Sequence, residues 1–259
     1  MLFRYSLVSL VLIALIACSG DDSLKQRKLP EVELKEALEL FKEGDYQEAK
    51  EALYTITIKH AGTSVAEVAL FYLGETNFKI DKFLVAAHHY GQLLERYNKS
   101  EYLEESQYKQ ALCHYNLSPA TQLDQKYTHM AIRYYDQFIS DWPQSRFRDQ
   151  AEKELHILNE KLAEKELINC QTYFKMGKDK AAILYADMAI SKFKDSSYLG
   201  DLYLLKARAY VERGEWIKSE EQLQLFAEKF GEPEKYQELI AEIKAEIDEG
   251  KKEALKNDI

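Results

Sequence analysis

Proline and glycine are scarce in this 259-residue chain, four and ten residues respectively, and with them the turn punctuation that many short strands need. That scarcity argues against an all-β fold. Cysteine is scarcer still, and three residues do not build a disulfide framework. Cations are outnumbered, 35 Lys and Arg against 44 Asp and Glu for a net charge of −9. Without a surplus of positive charge to lay against phosphates, a nucleic-acid partner is not expected. Catalytic signatures are missing too: there is no H-E-x-x-H, C-x-x-C, phosphate loop, G-x-S-x-G or dinucleotide fingerprint. The histidines at 60, 88, 89, 114, 129 and 156 are scattered, and the adjacent His88 and His89 cannot place both rings on one helical face. No enzyme activity, metal site or cofactor is therefore expected. What is present is 46% apolar and 31% charged sequence with long stretches rich in Ala, Glu, Lys and Leu, enough for a sizeable helical core.

Residues 1–17 read as an address. Their apolar run, Leu7 to Ala17, is broken only by Ser9. It is shorter than the roughly 20 residues of a membrane-spanning helix, but it suits the hydrophobic region of a secretory signal. It ends in Leu15-Ile16-Ala17-Cys18, which resembles the bacterial lipobox, and Cys18 is expected to be acylated and to become the first residue of the mature chain. An ordinary signal peptide competes with this reading, but the Leu three positions before Cys18 favours lipidation. Several acyl chains, at about 0.8 kcal/mol per buried CH₂, make a lasting anchor. Removing Arg4, the one charge of the leader, takes the net charge from −9 to −10. Residues 18–29 are polar and without periodicity, the character of a flexible tether.

Residues 30–232 carry an internal repeat. Gly44-Asp45-Tyr46-Gln47-Glu48-Ala49 is echoed at Asp81 to Ala86, Gly177 to Ala182 and Gly214 to Ser219, and more loosely at Lys126 to Ala131. Each part has a physical reason. A Gly, or an Asp that tolerates a left-handed backbone, ends one helix; an aromatic residue plugs the turn; a small residue lets two helices approach. Twelve positions upstream sit Ala37, Gly74, Cys170 and Ala207, small again. The second helices close near His60, Tyr97, Trp142, Phe193 and Phe230. The pattern resembles the tetratricopeptide repeat, and it predicts an all-α solenoid of five helical hairpins with a C-terminal capping helix; an irregular bundle would not need one turn phrase five times.

Two repeats depart from the pattern. Leu117 to Lys126, with Pro119, reads as an insertion in the third hairpin, and Ser145 to Met176 reads as one long helix. Residues 233–259 are expected to form the charged cap. Cys113 and Cys170 fall at or beside small-residue positions and read as packing residues rather than a disulfide pair. The outward positions of the first two hairpins, Leu34, Leu38, Phe41 and Lys42 with Phe71, Glu75, Phe78 and Lys79, form a candidate groove for an extended peptide with an aromatic or acidic end. Core packing is the competing role for each of them.

The order of these features resembles the BamD family, lipoproteins of the bacterial outer-membrane β-barrel assembly machinery. The shared features are the lipobox, Leu34-x-x-Ala37 with Gly44-Asp45-Tyr46, the insertion holding Asp124-Gln125, Asp141-Trp142-Pro143-x-Ser145, and Lys161 to Glu166 leading to Tyr173-Phe174-x-x-Gly177. The resemblance implies a non-catalytic scaffold anchored by lipid at the periplasmic face of the outer membrane. It implies that the C-terminal repeats dock on a POTRA domain of a BamA-like barrel protein, that the N-terminal repeats receive unfolded outer-membrane proteins, and that other assembly lipoproteins are possible partners. Tyr185 stands where well-known members carry a BamA-facing arginine, so that contact does not transfer. A different periplasmic tetratricopeptide adaptor lipoprotein of the cell envelope is the alternative.

Overall fold

The computed structural model describes residues 28–231 and 233–257; the leader, Cys18 and most of the tether lie outside the described residues. Among the described residues every regular element is helical. The helices are α1 (Pro30–Glu43), α2 (Tyr46–Lys59), α3 (Ser64–Lys79), α4 (Phe83–Arg96), α5 (Leu103–Asn116), α6 (Lys126–Asp141), α7 (Arg148–Lys175), α8 (Asp179–Lys192), α9 (Leu199–Glu212), α10 (Trp216–Phe230) and, after a 3₁₀ turn at Glu234–Tyr236, α11 (Gln237–Asn257). Helix α7 lies inside the span expected for the long helix, and α11 is the charged C-terminal one. Two compact units divide the chain at 69/70, within α3.

The turn phrase folds as its residues require. Backbone φ is +90° at Gly44, +57° at Asp81, +65° at Gly177 and +68° at Gly214, and Asp81 is the single non-glycine among the described residues with positive φ. After each of the four, the next N–H donates back across the helix end: Asp45 to the Leu40 carbonyl at 3.0 Å, Lys82 to Asn77, Lys178 to Tyr173 and Glu215 to Tyr210 at 2.9 Å. This six-to-one bond is the Schellman closure, which satisfies carbonyls left orphaned at a helix C-terminus. The aromatic after the turn packs back on the helix just ended, as Tyr46 does on Phe41 at 5.7 Å and Phe83 on Phe78 at 5.2 Å. The third hairpin has no such closure; its insertion is organised by Gln125, whose amide donates to the carbonyls of Ala120, Thr121 and Leu123.

A second device joins one hairpin to the next. His60, Tyr97, Trp142 and Phe193 end α2, α4, α6 and α8, and three residues later stand Thr63, Ser100, Ser145 and Ser196, whose N–H groups return to those four carbonyls at 3.0 to 3.2 Å. Each hydroxyl oxygen then accepts an N–H at the start of the next helix, from Ala66, Tyr102, Phe147 and Tyr198. The hydroxyl thus closes the turn between hairpins, beside Pro143 in one case and without a proline in the other three.

The small positions are where helices meet. Ala49, Ala86, Ala131, Ala182 and Ser219 are at most 1% exposed, as are Ala37, Cys170 and Ala207. Ser219 Oγ donates to the Ala207 carbonyl at 2.9 Å, so the two small positions of one hairpin touch. A Cβ on Gly74 would lie 2.7 Å from Tyr90 Cε1. In the first unit α1 packs on α2, and Glu33 bridges Lys59 and His60. In the second, from α4 onward, each helix packs on the next in chain order, and α9 also touches α7 and α11. This is hairpin stacking of the tetratricopeptide type. Cys113 and Cys170 are free thiols, fully buried, and burial pushes each up to about 12.

Candidate functional site: the first-helix faces

Numbering from the small residue of each first helix explains what the structure does with the eight groove candidates. With the fully buried Ala111 as that residue in the third hairpin, the position three before it is Leu34, Phe71, Tyr108 and Leu167 in successive hairpins. In the last three of these the aromatic that starts the following hairpin covers it. Tyr102 stacks on Phe71 at 4.4 Å and Phe147 on Tyr108 at 4.7 Å, while Tyr198 packs in the cluster that holds Leu167. Phe71, 5% exposed, is therefore a core residue rather than a surface anchor. Glu75 is also internal: its carboxylate accepts the Tyr90 hydroxyl at 2.5 Å and pairs with Lys109 at 3.0 Å. Burial and, after it, the negative charge beside it hold the Tyr90 phenol far above its usual range.

The other six lie at the surface or half-buried. Leu34, Leu38 and Phe41 are half-buried on α1 with Lys42 exposed beside them. On α3, Phe78 packs on the second unit's aromatic cluster, Lys109 sits over its ring at 5.2 Å, and Lys79 is exposed. Lys109 belongs to α5, and sequence reading did not single it out.

The same register carried to later hairpins reaches a third face. Four and five after Cys170 stand Phe174 and Lys175, the counterparts of Phe41 and Lys42 or of Phe78 and Lys79. With Gln171 they line a recess of about 300 Å³ whose other wall is Asp201, Leu205, Arg208 and Leu239. The Arg208 guanidinium lies 5.5 Å above the Phe174 ring and reaches Glu242 only at 3.9 Å. Asp201 is committed elsewhere, accepting the Tyr236 hydroxyl at 2.9 Å. An apolar recess with a cation at its lip and a second beside it suits an aromatic side chain followed by a carboxylate.

The outer helices show different chemistry. Leu184 and Met188, one turn apart on α8, are 59% and 58% exposed, and Ile217 and Leu225 on α10 are exposed as well. Tyr185 is turned away from that face, stacked on Tyr173 at 4.8 Å. Among the described residues no cluster of His, Cys, Asp and Glu could hold a metal ion, and no helix is long and apolar enough to cross a membrane.

These features belong to a repeat protein built of stacked helical hairpins. The family described as YfiO, outer membrane lipoprotein, matches residues 29–225, and the chain belongs to it. No curated protein matches. Among solved structures, the MamA protein is 16% identical with a TM-score of 0.40, over 80% of this chain and 95% of that one. The TPR2AB domain of yeast Sti1, in a complex titled with pHSP90, is 15% identical with a TM-score of 0.40, over 85% and 98%. Nothing about partners follows from likenesses so distant.

Proposed function

We propose that this lipoprotein is a non-catalytic scaffold of outer-membrane β-barrel assembly, anchored through Cys18 on the periplasmic face. The first-helix faces receive the C-terminal strands of unfolded outer-membrane proteins, which end in an aromatic residue and a carboxylate. The observation that carries this reading is the recurrence of an aromatic with a lysine behind it, at Phe41-Lys42, Phe78-Lys79 and Phe174-Lys175. At the third of these, Arg208 stands above the aromatic ring at the lip of an apolar recess. Each face is a contact surface in its own right. The exposed apolar residues of α8 and α10 supply the docking surface for a POTRA domain of a BamA-like barrel protein, since adjoining exposed apolar side chains such as Leu184 and Met188, one turn apart, mark protein contact sites.

The test of substrate receipt is photocrosslinking of a synthetic C-terminal barrel peptide to the full chain. Phe41→Ala with Phe78→Ala and Phe174→Ala should lower the yield severalfold while the helical circular dichroism signal persists. Undiminished crosslinking would overturn this role, and loss of helical signal would assign those rings to packing instead.

A further inference from the structure

Away from the first-helix faces, three helices of the second unit line a trough that none of the roles above uses. Two adjoining recesses of about 250 and 380 Å³ share Gln110 as a common wall. One side is a stripe of α4, Leu84, Ala87, Gly91 and Leu94, continued past the helix end by Asn98. The floor is a stripe of α5 running the other way, His114, Gln110, Gln107 and Leu103; the far side is Tyr134, Gln137 and Asp141 of α6, followed by Trp142. The spacing along each helix is three or four residues, so each stripe is one continuous face.

We infer that this trough binds an extended peptide segment of about six residues, pairing with its backbone and tolerating varied side chains. The length follows from the walls. Leu84 to Asn98 spans about 20 Å at 1.5 Å per residue, which an extended strand covers in about six residues. The chemistry follows from the amides of the walls, because a carboxamide both donates and accepts and so pairs with either group of a peptide bond, whereas on the floor Gln107 is engaged with Asp141 and Trp142 and Gln110 with the Ala87 carbonyl. Gln137 and Asn98 are exposed, and their side chains make no hydrogen bond among the described residues. The Nδ1 atom of His114, a residue 3% exposed at one end of the floor, is buried without a partner. Gly91 keeps the channel open: a Cβ there would stand 2.8 Å from Gln110 Nε2. Exposed Leu84 and half-buried Leu94, Leu103 and Trp142 offer apolar seats at the two ends. The carboxylates along the walls are Glu95 and Asp141, the latter accepting from the Gln107 amide at 2.7 Å, against His88 and a His114 whose protonation burial disfavours. The segment is therefore neutral or basic, unlike the carboxylate-ended strands of the first-helix faces.

The probe is a capped seven-residue peptide of alternating valine and threonine with two lysines, fluorescently labelled and titrated into the full chain. Saturable binding is expected. It should weaken about tenfold, close to 1.4 kcal/mol, with Gly91→Leu or with alternate backbone N-methylation. Gln137→Leu, on an exposed face that carries no fold risk, and replacement of the lysines by glutamate should each weaken it about threefold. Phe41→Ala with Phe78→Ala and Phe174→Ala should leave it unchanged, so this result is separable from the fate of the substrate-receipt reading. Absence of saturable binding, or binding indifferent to Gly91→Leu, Gln137→Leu and N-methylation, would overturn the inference. So would a soluble oligosaccharide that quenches Trp142 fluorescence where the peptide does not.

Discussion

The Tyr135 hydroxyl donates to the Glu154 carboxylate at 2.6 Å, joining the second helix of the third hairpin to the long helix α7. Tyr108 donates to the same carboxylate at 3.3 Å from α5, and Glu154 is only 7% exposed. Burial and the carboxylate hold both phenols above their usual range, as donors rather than phenolates. Tyr90 with Glu75 repeats the theme one hairpin earlier, four positions after the small residue in both cases. Buried phenol and carboxylate pairs thus fix how hairpins meet α3 and α7.

Removing the shared acceptor should be costly. Glu154→Ala leaves two buried hydroxyls without a partner, at about 1 to 3 kcal/mol for each, whereas Glu154→Gln keeps an acceptor and loses less. Urea denaturation of the three proteins, followed by circular dichroism, should rank them wild type, Gln, Ala in falling stability.

Two glycines should answer alanine with opposite signs. Gly74→Ala drives a Cβ to 2.7 Å from a Tyr90 ring that is wholly buried and tied to Glu75, a cost of about 1 to 3 kcal/mol. Gly91→Ala meets only the movable end of Gln110, and the helix gains up to about 1 kcal/mol. Thermal melts of both variants check the contrast.

The left-handed turns allow a gain as well as a loss. Asp81→Gly relieves a side chain held at φ +57° and should stabilise by about 1 kcal/mol. Gly44→Ala, at φ +90° with nothing within 4 Å of its new Cβ, should lose about as much for backbone reasons alone.

Acidification should weaken the fold before the carboxylates titrate. Burial lowers the pKa of His89 and His114, with Arg133 adding to the effect at His114. Both therefore take up a proton in the unfolded chain at about pH 6.5, before they do so in the folded one. Stability should hold above that pH, fall as pH drops through it, and stop falling below the folded-state values. Melting temperatures at pH 8.0, 6.5 and 5.5 should show the slope, and His114→Phe should reduce it.

The hairpin plan was legible in the sequence because left-handed turns admit few residues, so Gly44, Asp81, Gly177 and Gly214 announce themselves. The small positions were legible for a similar reason, since only Ala, Gly, Cys or Ser fits where helices touch. The division of the groove candidates was not. What buries Phe71 is Tyr102, and what engages Glu75 is Tyr90 and Lys109, residues 15 to 34 positions away that no local pattern connects. Glu154 was hidden for the same reason, because a carboxylate within a charged helix reads as surface until Tyr108 and Tyr135 are seen above it. The hydroxyl turns at Thr63, Ser100, Ser145 and Ser196 did carry a signal, a Ser or Thr three after each closing ring.

The central claim is tested most directly by affinity purification of the lipidated chain from detergent-solubilised outer membranes. Wild type should bring down a BamA-like barrel protein in near-stoichiometric amount, and Leu184→Glu with Met188→Glu should lose most of it while melting at the wild-type temperature. A wild-type preparation that recovers no such barrel protein, or a double variant that retains it in full, would contradict the account.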